Sequence, residues 1–356
     1  MEISSVKIVG SGLIGTSIGL ALSQKEIHVL MCDQDPGTAS LAQSLVDPYR
    51  EFTASHVFDV VVIAVPPSAF ASVISIESEL NPSSTFVDIL SLKTKPQLEV
   101  EALPGLAPRF VATHPMAGRE VSGAQSARGD LFVGRTWIIC PTSATGKNSL
   151  ELVRKIISIC GGLEVQMNAI EHDRAMALIS HAPQVVASVV AAQLLGSEAS
   201  WTHLIGQGFK DLTRIADSDA LLWREILSEN SENIKAVLGK IREELAKVES
   251  TLNDSNSAQT IIESGNSGRK LIPGKHGSSL RTYIYLHIVI DDKAGQLASI
   301  FNDCARAEVN IEDVSIEHTP GQNTGLVTLS ILEAQKAKYL EDFLISAGWK
   351  VHSTSK

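Results

Sequence analysis

His114 closes a β-rich run, Phe110–Thr113, and stands in the order His114-Pro115-Met116-Ala117-Gly118. An imidazole titrates near pH 6.5 when unperturbed, so a histidine at a strand end is suited to taking and returning a proton near neutrality. A histidine that merely hydrogen-bonds its own turn would read the same, and the residues alone leave both possibilities open. Ser91 and Lys93 follow another such run, Thr85–Ile89, and bring a hydroxyl and an amine to a similar position. A third group is Gly10-Ser11-Gly12-Leu13-Ile14-Gly15, which follows the run Val6–Val9 and opens a helical stretch, Thr16–Leu22. In such a G-x-G-x-x-G, Gly10 permits the tight turn, Gly12 lets the backbone approach a pyrophosphate, and Gly15 lets helix and strand pack closely. The helix N-terminus offers free N–H groups to phosphates. Asp33 ends the next strand, 23 residues after Gly10. It can accept hydrogen bonds from an adenosine ribose and would repel a 2′-phosphate, which favours NAD over NADP. Leu13, Ile14, Val65 and Pro66 are counted with these as cofactor-binding residues. The alternative is a glycine-rich turn without a ligand.

These residues need a scaffold that brings strand ends together. Val6–Val9, Ile27–Cys32, Val57–Val65, Thr85–Ile89, Phe110–Thr113 and Trp137–Cys140 are short β-rich runs, several separated by helix-capable segments. That alternation predicts a mostly parallel, Rossmann-type doubly wound α/β sheet with helices on both faces, over residues 1–166. Val60–Val65 is apolar throughout, as a strand buried on both faces requires. From residue 167 to 251 the pattern turns all-helical. Asn168 followed by Glu171 reads as a capping-box variant. The stretch through Leu195 contains Pro183, which should kink or break it. Asp217 or Ser218 is placed to cap a further helix, and apolar residues from Ile226 to Val248 recur at helical spacing. This stripe is wide enough to pack against a second copy, which predicts a homodimer. Residues 252–279 are rich in Ser, Asn, Gly and Pro and read as a linker with at most one ordered turn. From residue 280 to 356 the order strand, helix, strand, strand, helix, strand describes a ferredoxin-like βαββαβ unit.

Composition narrows the function classes. Lys plus Arg number 30 against 40 Asp plus Glu, a formal charge of −10, which disfavours binding to a nucleic-acid backbone. Hydrophobic residues make up 44 %, enough for a sizeable core. Cys32, Cys140, Cys160 and Cys304 form no C-x-x-C pair, so neither a zinc site nor a disulfide framework is expected. The longest apolar run, Val185–Leu195, is shorter than the about 20 residues of a membrane span. With no signal pattern at the N-terminus, a cytoplasmic location away from membranes is expected.

The order of motifs resembles the prephenate and arogenate dehydrogenases of tyrosine synthesis. His114–Gly118 is similar to their His-Pro-(Met/Ile)-Ala-Gly, and Gly10–Gly15 with Ser17 to their Gly-x-Gly-Leu-Ile-Gly-x-Ser. Asp88–Lys93 resembles Asp-x-Gly-Ser-x-Lys, with Leu90 in place of glycine. Glu171-His172-Asp173 and Ser180–Gln184 resemble Glu-His-Asp and Ser-His-Leu-Pro-His, with Gln184 in place of the last histidine. Gly208–Ala216 and Trp223 resemble Gly-Phe-Arg-Asp-x-Thr-Arg-Ile-Ala and its downstream Trp. These matches run in order from about residue 6 to 226. The resemblance implies NAD-dependent oxidative decarboxylation of prephenate to 4-hydroxyphenylpyruvate. It implies that His114 accepts the 4-hydroxyl proton, that Ser91 orients His114 or the hydroxyl, and that Arg214 binds a substrate carboxylate. It further implies that His181, Glu120, Trp223 and Asp211 belong to the substrate pocket. From the residues alone, Arg214 reads rather as an ion-pair partner of Asp211 or Asp217, and His181 as a buried structural histidine. His172 and Asp173 are read as a structural first helical turn.

The C-terminal unit resembles an ACT domain, an amino-acid-sensing module. Tyr283–Ile290 and the turn through Asp292, Gly295, Gln296 and Leu297 match its strand–turn–helix, and Asn310-Ile311 its second-strand start. Gly268–Gly277 resembles the segment that precedes the module. The resemblance implies regulation by tyrosine. Arogenate dehydrogenase is the nearest competing activity. A β-hydroxyacid dehydrogenase would need a lysine where Ser180-His181-Ala182-Pro183 stands. A non-catalytic NAD and amino-acid sensor would lack His114, Ser91 or Arg214.

Overall fold

Strands buried on both faces show no polar alternation, and Val60–Ile63, buried at every position, is of that kind. The computed structural model describes residues 2–53, 55–117, 123–272, 283–318 and 324–355. Glu120 therefore lies outside the described residues. The chain divides into two compact units, Met1–Glu244 and Leu245–Lys356. The first is built on β1 (Ser5–Val9), β2 (His28–Cys32), β3 (Val60–Ile63), β4 (Thr85–Asp88), β5 (Phe110–Pro115), β6 (Thr136–Cys140) and β7 (Leu163–Gln166). Their spatial order is β2-β1-β3-β4-β5-β6-β7. Pairing is parallel from β2 to β5; β6 runs antiparallel to β5, and β7 parallel to β6.

Helices α1 (Leu13–Ser23), α2 (Pro36–Val46), α3 (Pro67–Leu80), α4 (Thr94–Glu101) and α5 (Lys147–Ile159) join these strands. The sheet separates two cores. Val60 and Val62 face a cluster with Ile18, Leu22 and Ile156, whereas Val61 and Ile63 face Phe70, Ile74 and Val100. The expected doubly wound sheet is present. β7 was not anticipated, because all of Leu163–Gln166 is exposed and its edge position leaves no buried alternation to read.

The helical region begins with α6 (Ala169–Met176), a π turn Ala177–His181 and α7 (Ala182–Ala192). Asn168 caps α6, its Oδ1 accepting from the Glu171 N–H at 2.8 Å. Of the kink or break expected at Pro183, the break does not occur. Pro183 has no N–H to return to Ile179, and the preceding turn widens instead, so that the helix continues. The resulting run, Ala169–Gly196, is long and apolar enough to cross a bilayer by length and composition alone, a test that the core helix of a folded domain also passes. It is also the element that carries the buried His172 and His181.

After α8 (Gln207–Thr213) come α9 (Ala220–Glu229) and α10 (Ser231–Thr251). Neither Asp217 nor Ser218 caps α9; Asp219 does, accepting from the Leu221 and Leu222 N–H groups. The single stripe expected from Ile226 onward is divided at the buried Asn230, which ends α9. Leu178, Ile179, Val189 and Leu195 are exposed apolar side chains of this region.

In the second unit, residues 252–279 are not simply a linker, since α11 (Ser255–Arg269) forms there. Asp254 caps it, accepting from the Asn256 and Ser257 N–H groups, and local bonds such as Gln259 to Glu263 support it. No residue of this helix is buried, so the hydrophobic periodicity that announces a helix is missing from its sequence. Then follow β8 (Ile284–Asp291), α12 (Gln296–Arg306), β9 (Asp313–His318), β10 (Thr324–Ile331), α13 (Ala334–Ser346) and β11 (Lys350–Ser355). The sheet order is β11-β8-β10-β9, all antiparallel, which is the expected ferredoxin-like topology. Leu286, Ile288, Val327, Leu329, Leu340 and Leu344 form its core.

Candidate active site

In a doubly wound sheet, ligands bind beyond the carboxyl ends of the strands where the crossover direction reverses. Here that point lies between β1 and β3. Gly10 follows β1 with φ +106°, and a Cβ on it would lie 2.2 Å from the Ala64 carbonyl oxygen. A Cβ on Gly15 would lie 2.1 Å from the Gly10 carbonyl oxygen, whereas one on Gly12 meets nothing within 4 Å. Gly12 is thus the open position, at the uncapped N-terminus of α1. Asp33 accepts from the Ser11 N–H at 2.8 Å and ties this loop to the end of β2. Leu13 is buried and Ile14 half-buried beneath the loop; Val65 is half-buried and Pro66 exposed at the start of α3. This cradle fits a dinucleotide: two glycines close it, and the third leaves room for a phosphate beside free N–H groups.

At the end of β5, His114 Nδ1 lies 2.9 Å from His172 Nε2, and His172 Nδ1 lies 2.8 Å from Asp173 Oδ1. Burial pushes the pKa of both imidazoles down, and His114 falls well below 6.5 because His172, Lys93 and His181 add to it. Burial raises Asp173, but hydrogen bonds from His172, Thr94 and Lys93 outweigh it and hold the carboxyl below its usual range. The protons can therefore be placed. A carboxylate only accepts, so His172 carries its proton on Nδ1 and turns the Nε2 lone pair to His114. His114 donates from Nδ1, which leaves its Nε2 as an unprotonated base.

Asp173 does more than hold His172. Its carboxylate accepts from the Lys93 and Thr94 N–H groups at 2.9 Å each and caps α4. The segment carrying Ser91 is thereby fastened to α6. Lys93 itself is fully buried and paired with Asp88, and it donates to the Thr113 carbonyl. Asp88 also accepts from the Thr113 N–H at 2.9 Å. Lys93 is thus a strut behind His114. Ser91 is half-buried and, among the described residues, makes no hydrogen bond to His114. Leu90, standing where the family motif has glycine, is buried in the core without a left-handed backbone, so the substitution is accommodated.

His181 is buried, and burial lowers its pKa to about 4. Its ring meets Trp223 edge-on, with centroids 6.0 Å apart. Arg214 is exposed, in a 3-10 turn, Arg214–Ala216, that packs against α7. Asp211 is exposed and accepts from Gln207 Nε2 at 2.7 Å. The structure thus brings His114 and His181 together with His172 and Asp173, which sequence reasoning set aside as structural, and with Asn230, which it did not single out. The Glu171-His172-Asp173 motif was the available signal. A separate cavity of about 680 Å³, lined by residues including Phe58, Thr85, Arg109 and Lys147, opens at the amino ends of the strands, away from this cluster.

Of the residues expected to be regulatory, Asp292, Gly295 and Asn310 are exposed and Gln296 is half-buried, while Leu297 and Ile311 pack against the core of the second unit.

The chain is similar to known proteins in sequence and fold. The family model described as prephenate dehydrogenase, nucleotide-binding domain, matches residues 18–165, and that described as prephenate dehydrogenase, dimerization domain, matches residues 168–263. A Streptomyces niveus protein named probable prephenate dehydrogenase NovF is 31% identical over 337 residues, covering 91% of this chain and 93% of that protein. Prephenate dehydrogenase of Bacillus subtilis is 24% identical over 350 residues, covering 95% of this chain and 94% of its own. The crystal structure of Aquifex aeolicus prephenate dehydrogenase in complex with hydroxyphenyl propionate and NAD+ superposes with a TM-score of 0.68 at 26% identity, covering 76% of this chain and 99% of that one. With both domain models matched in succession and a relative similar over nearly its whole length, the chain belongs to the prephenate dehydrogenase family.

Proposed function

We propose that this protein is an NAD-dependent prephenate dehydrogenase, converting prephenate to 4-hydroxyphenylpyruvate and CO₂. The observation that carries the reading is the chain Asp173–His172–His114, which leaves a neutral histidine with a free Nε2 lone pair at the strand ends. NAD is supported by the open Gly12 cradle and by Asp33, whose carboxylate suits a ribose diol and repels a 2′-phosphate. When bound, NAD supplies the acceptor for the hydride that leaves C4 of the substrate.

His114 Nε2 accepts the proton of the 4-hydroxyl, so that oxygen can form a carbonyl as the hydride departs. His172 and Asp173 hold the His114 ring in the tautomer this step needs and stabilise the imidazolium that results. Loss of the ring carboxylate as CO₂ leaves its bonding pair in the ring, which becomes aromatic, and His114 returns the proton to the phenolate oxygen. Aromatisation provides the driving force, so the protein chiefly positions and polarises. Arg214 offers a guanidinium fork to a substrate carboxylate. His181 and Trp223 line the same pocket, joined by Asp211, and Ser91 orients the reacting hydroxyl.

The same reading makes the enzyme a cytoplasmic homodimer formed through the helical region, where Leu178, Ile179 and Val189 are exposed. It makes the ferredoxin-like unit an ACT domain, with tyrosine bound near Asp292, Gly295, Gln296 and Asn310. The test is a steady-state assay with prephenate and arogenate, each with NAD and NADP. Fastest turnover is expected with prephenate and NAD; turnover of arogenate alone, or only with NADP, would overturn the proposal.

A further inference from the structure

Asn230 sits where α9 ends and is 4% exposed. Its amide is engaged on both sides. Oδ1 accepts from Asn233 Nδ2 at 2.8 Å, Nδ2 donates to the Asp173 carbonyl at 2.8 Å, and Nδ2 lies 3.0 Å from His181 Nδ1. A backbone carbonyl can only accept, so the NH₂ of Asn230 must face Asp173 and His181. Its second N–H then donates to His181 Nδ1, which must hold a lone pair. The one proton of the neutral ring is left on Nε2. Burial keeps the ring neutral at working pH, despite the opposing charge of Asp173. His181 Nε2 has no hydrogen-bond partner among the described residues, nor is it one of their sealed, unsatisfied polar atoms.

We propose that Asn230 is a positioning residue for the reaction, one that fixes His181 as an Nε2–H donor toward an oxygen of the anionic substrate. The inference rests on the substrate-pocket role of His181 argued above. The histidine pair on this network thus presents the same atom, Nε2, in opposite hydrogen-bonding roles. His114 shows a lone pair to a hydroxyl that must lose its proton. His181 shows an N–H to an oxygen that must be held. Asp173 connects the two, holding His172 through its carboxylate and Asn230 through its carbonyl. An uncharged donor also selects the substrate oxygen by direction without adding a proton that could compete with His114 for the hydroxyl.

Asn230→Asp tests this, because it replaces the donor with an acceptor of almost the same shape. His181 must then place its proton on Nδ1 and turn a lone pair toward the substrate. In ¹⁵N-histidine NMR of the substrate-free enzyme, wild-type His181 is expected protonated on Nε2, with Asn230→Asp shifting the proton to Nδ1. The KM for prephenate should rise about tenfold or more, the loss expected for one hydrogen bond to a charged group, with the Kd for NAD unchanged. In a His181→Gln background the same change should leave KM unaltered, since the two residues act as a unit. If Asn230→Asp does not fold, Asn230→Ala serves, with a mixed tautomer and the same direction in KM. A wild-type His181 protonated on Nδ1 would overturn the proposal. So would an equal rise in KM with and without His181, or a fall in thermal stability alone. The tautomer is read without substrate, so a failure of wild-type enzyme to turn over prephenate would count against the activity and not against the tautomer.

Discussion

The chemistry of this site depends on where protons sit on its imidazoles. His114 acts in its unprotonated form, and its surroundings lower its pKa well below 6.5. The active form therefore persists at pH values where a free imidazole would be protonated. kcat/KM is expected to stay level from neutrality to below pH 6.5 and to fall only at lower pH, as the base is finally protonated. An acid limb centred at or above pH 6.5 would contradict the environment described. His114→Ala should lower kcat by about 10²–10⁴-fold, the usual contribution of a general base, while NAD affinity, measured by fluorescence titration, stays nearly intact. A loss below about tenfold would remove His114 from the role. Replacing His172 by Ala should cost about 10²-fold, because His114 would keep its basicity but lose its orientation; an unchanged kcat would return His172 to a purely structural part.

Elements are joined here by buried polar side chains that span long stretches of sequence. Lys93 and Asp88 hold the ends of β4 and β5 in register beneath His114. Removing the cation alone leaves a carboxylate buried without a counter-charge. Lys93→Met should destabilise folding by roughly 3–5 kcal/mol, whereas Lys93→Met with Asp88→Leu should recover much of that loss. Urea unfolding of both variants at neutral pH is the measurement, and a single variant as stable as wild type would show that the pair is not charged in the folded state. The π turn Ala177–His181 has a comparable reach. Asp173 and His181 are eight positions apart, which in a regular helix of 3.6 residues per turn places them about 80° apart around the axis. A wider turn between them advances fewer degrees per residue and brings both closer to the face that meets Asn230.

Across the whole molecule, the ferredoxin-like unit adds nothing the proton chemistry requires, which is the ground for reading it as regulatory. Tyrosine at millimolar concentration is expected to inhibit the full chain, with a change in substrate affinity in the usual allosteric range of about 5–150-fold. The presence of α11 sets where that unit can be removed. A cut near Leu252 would remove the whole of a helix that begins at Ser255 and lies partly within the family's dimerization-domain match, so the chain should be ended after Lys270. That shortened enzyme should remain active and lose the inhibition. Equal sensitivity after the cut would mean that tyrosine competes at the His114 pocket, and no response in the full chain would leave the unit a purely structural role.

Features that reside in contiguous residues were legible. Gly10–Gly15 announced the dinucleotide turn, Asn168 and Glu171 the start of α6, and the alternation of Val- and Ile-rich runs the doubly wound sheet, because turns, caps and strand burial are dictated by neighbours in the chain. The βαββαβ order was legible for the same reason. α11 and β7 were not, since neither buries the apolar face from which a pattern could be read. Of the candidate site, His114, His181, Trp223, Lys93 and Asp33 were singled out from the sequence, whereas His172, Asp173 and Asn230 were not read as part of it. His172 meets His114 across 58 positions, Asn230 meets Asp173 across 57 and His181 across 49. No local spacing encodes such pairings, and a histidine's tautomer depends on whichever partner reaches its other nitrogen. Residue types and strand ends were thus determined by sequence alone, while the direction in which each imidazole offers its proton or its lone pair was decided by tertiary packing, which buried the rings and chose their partners.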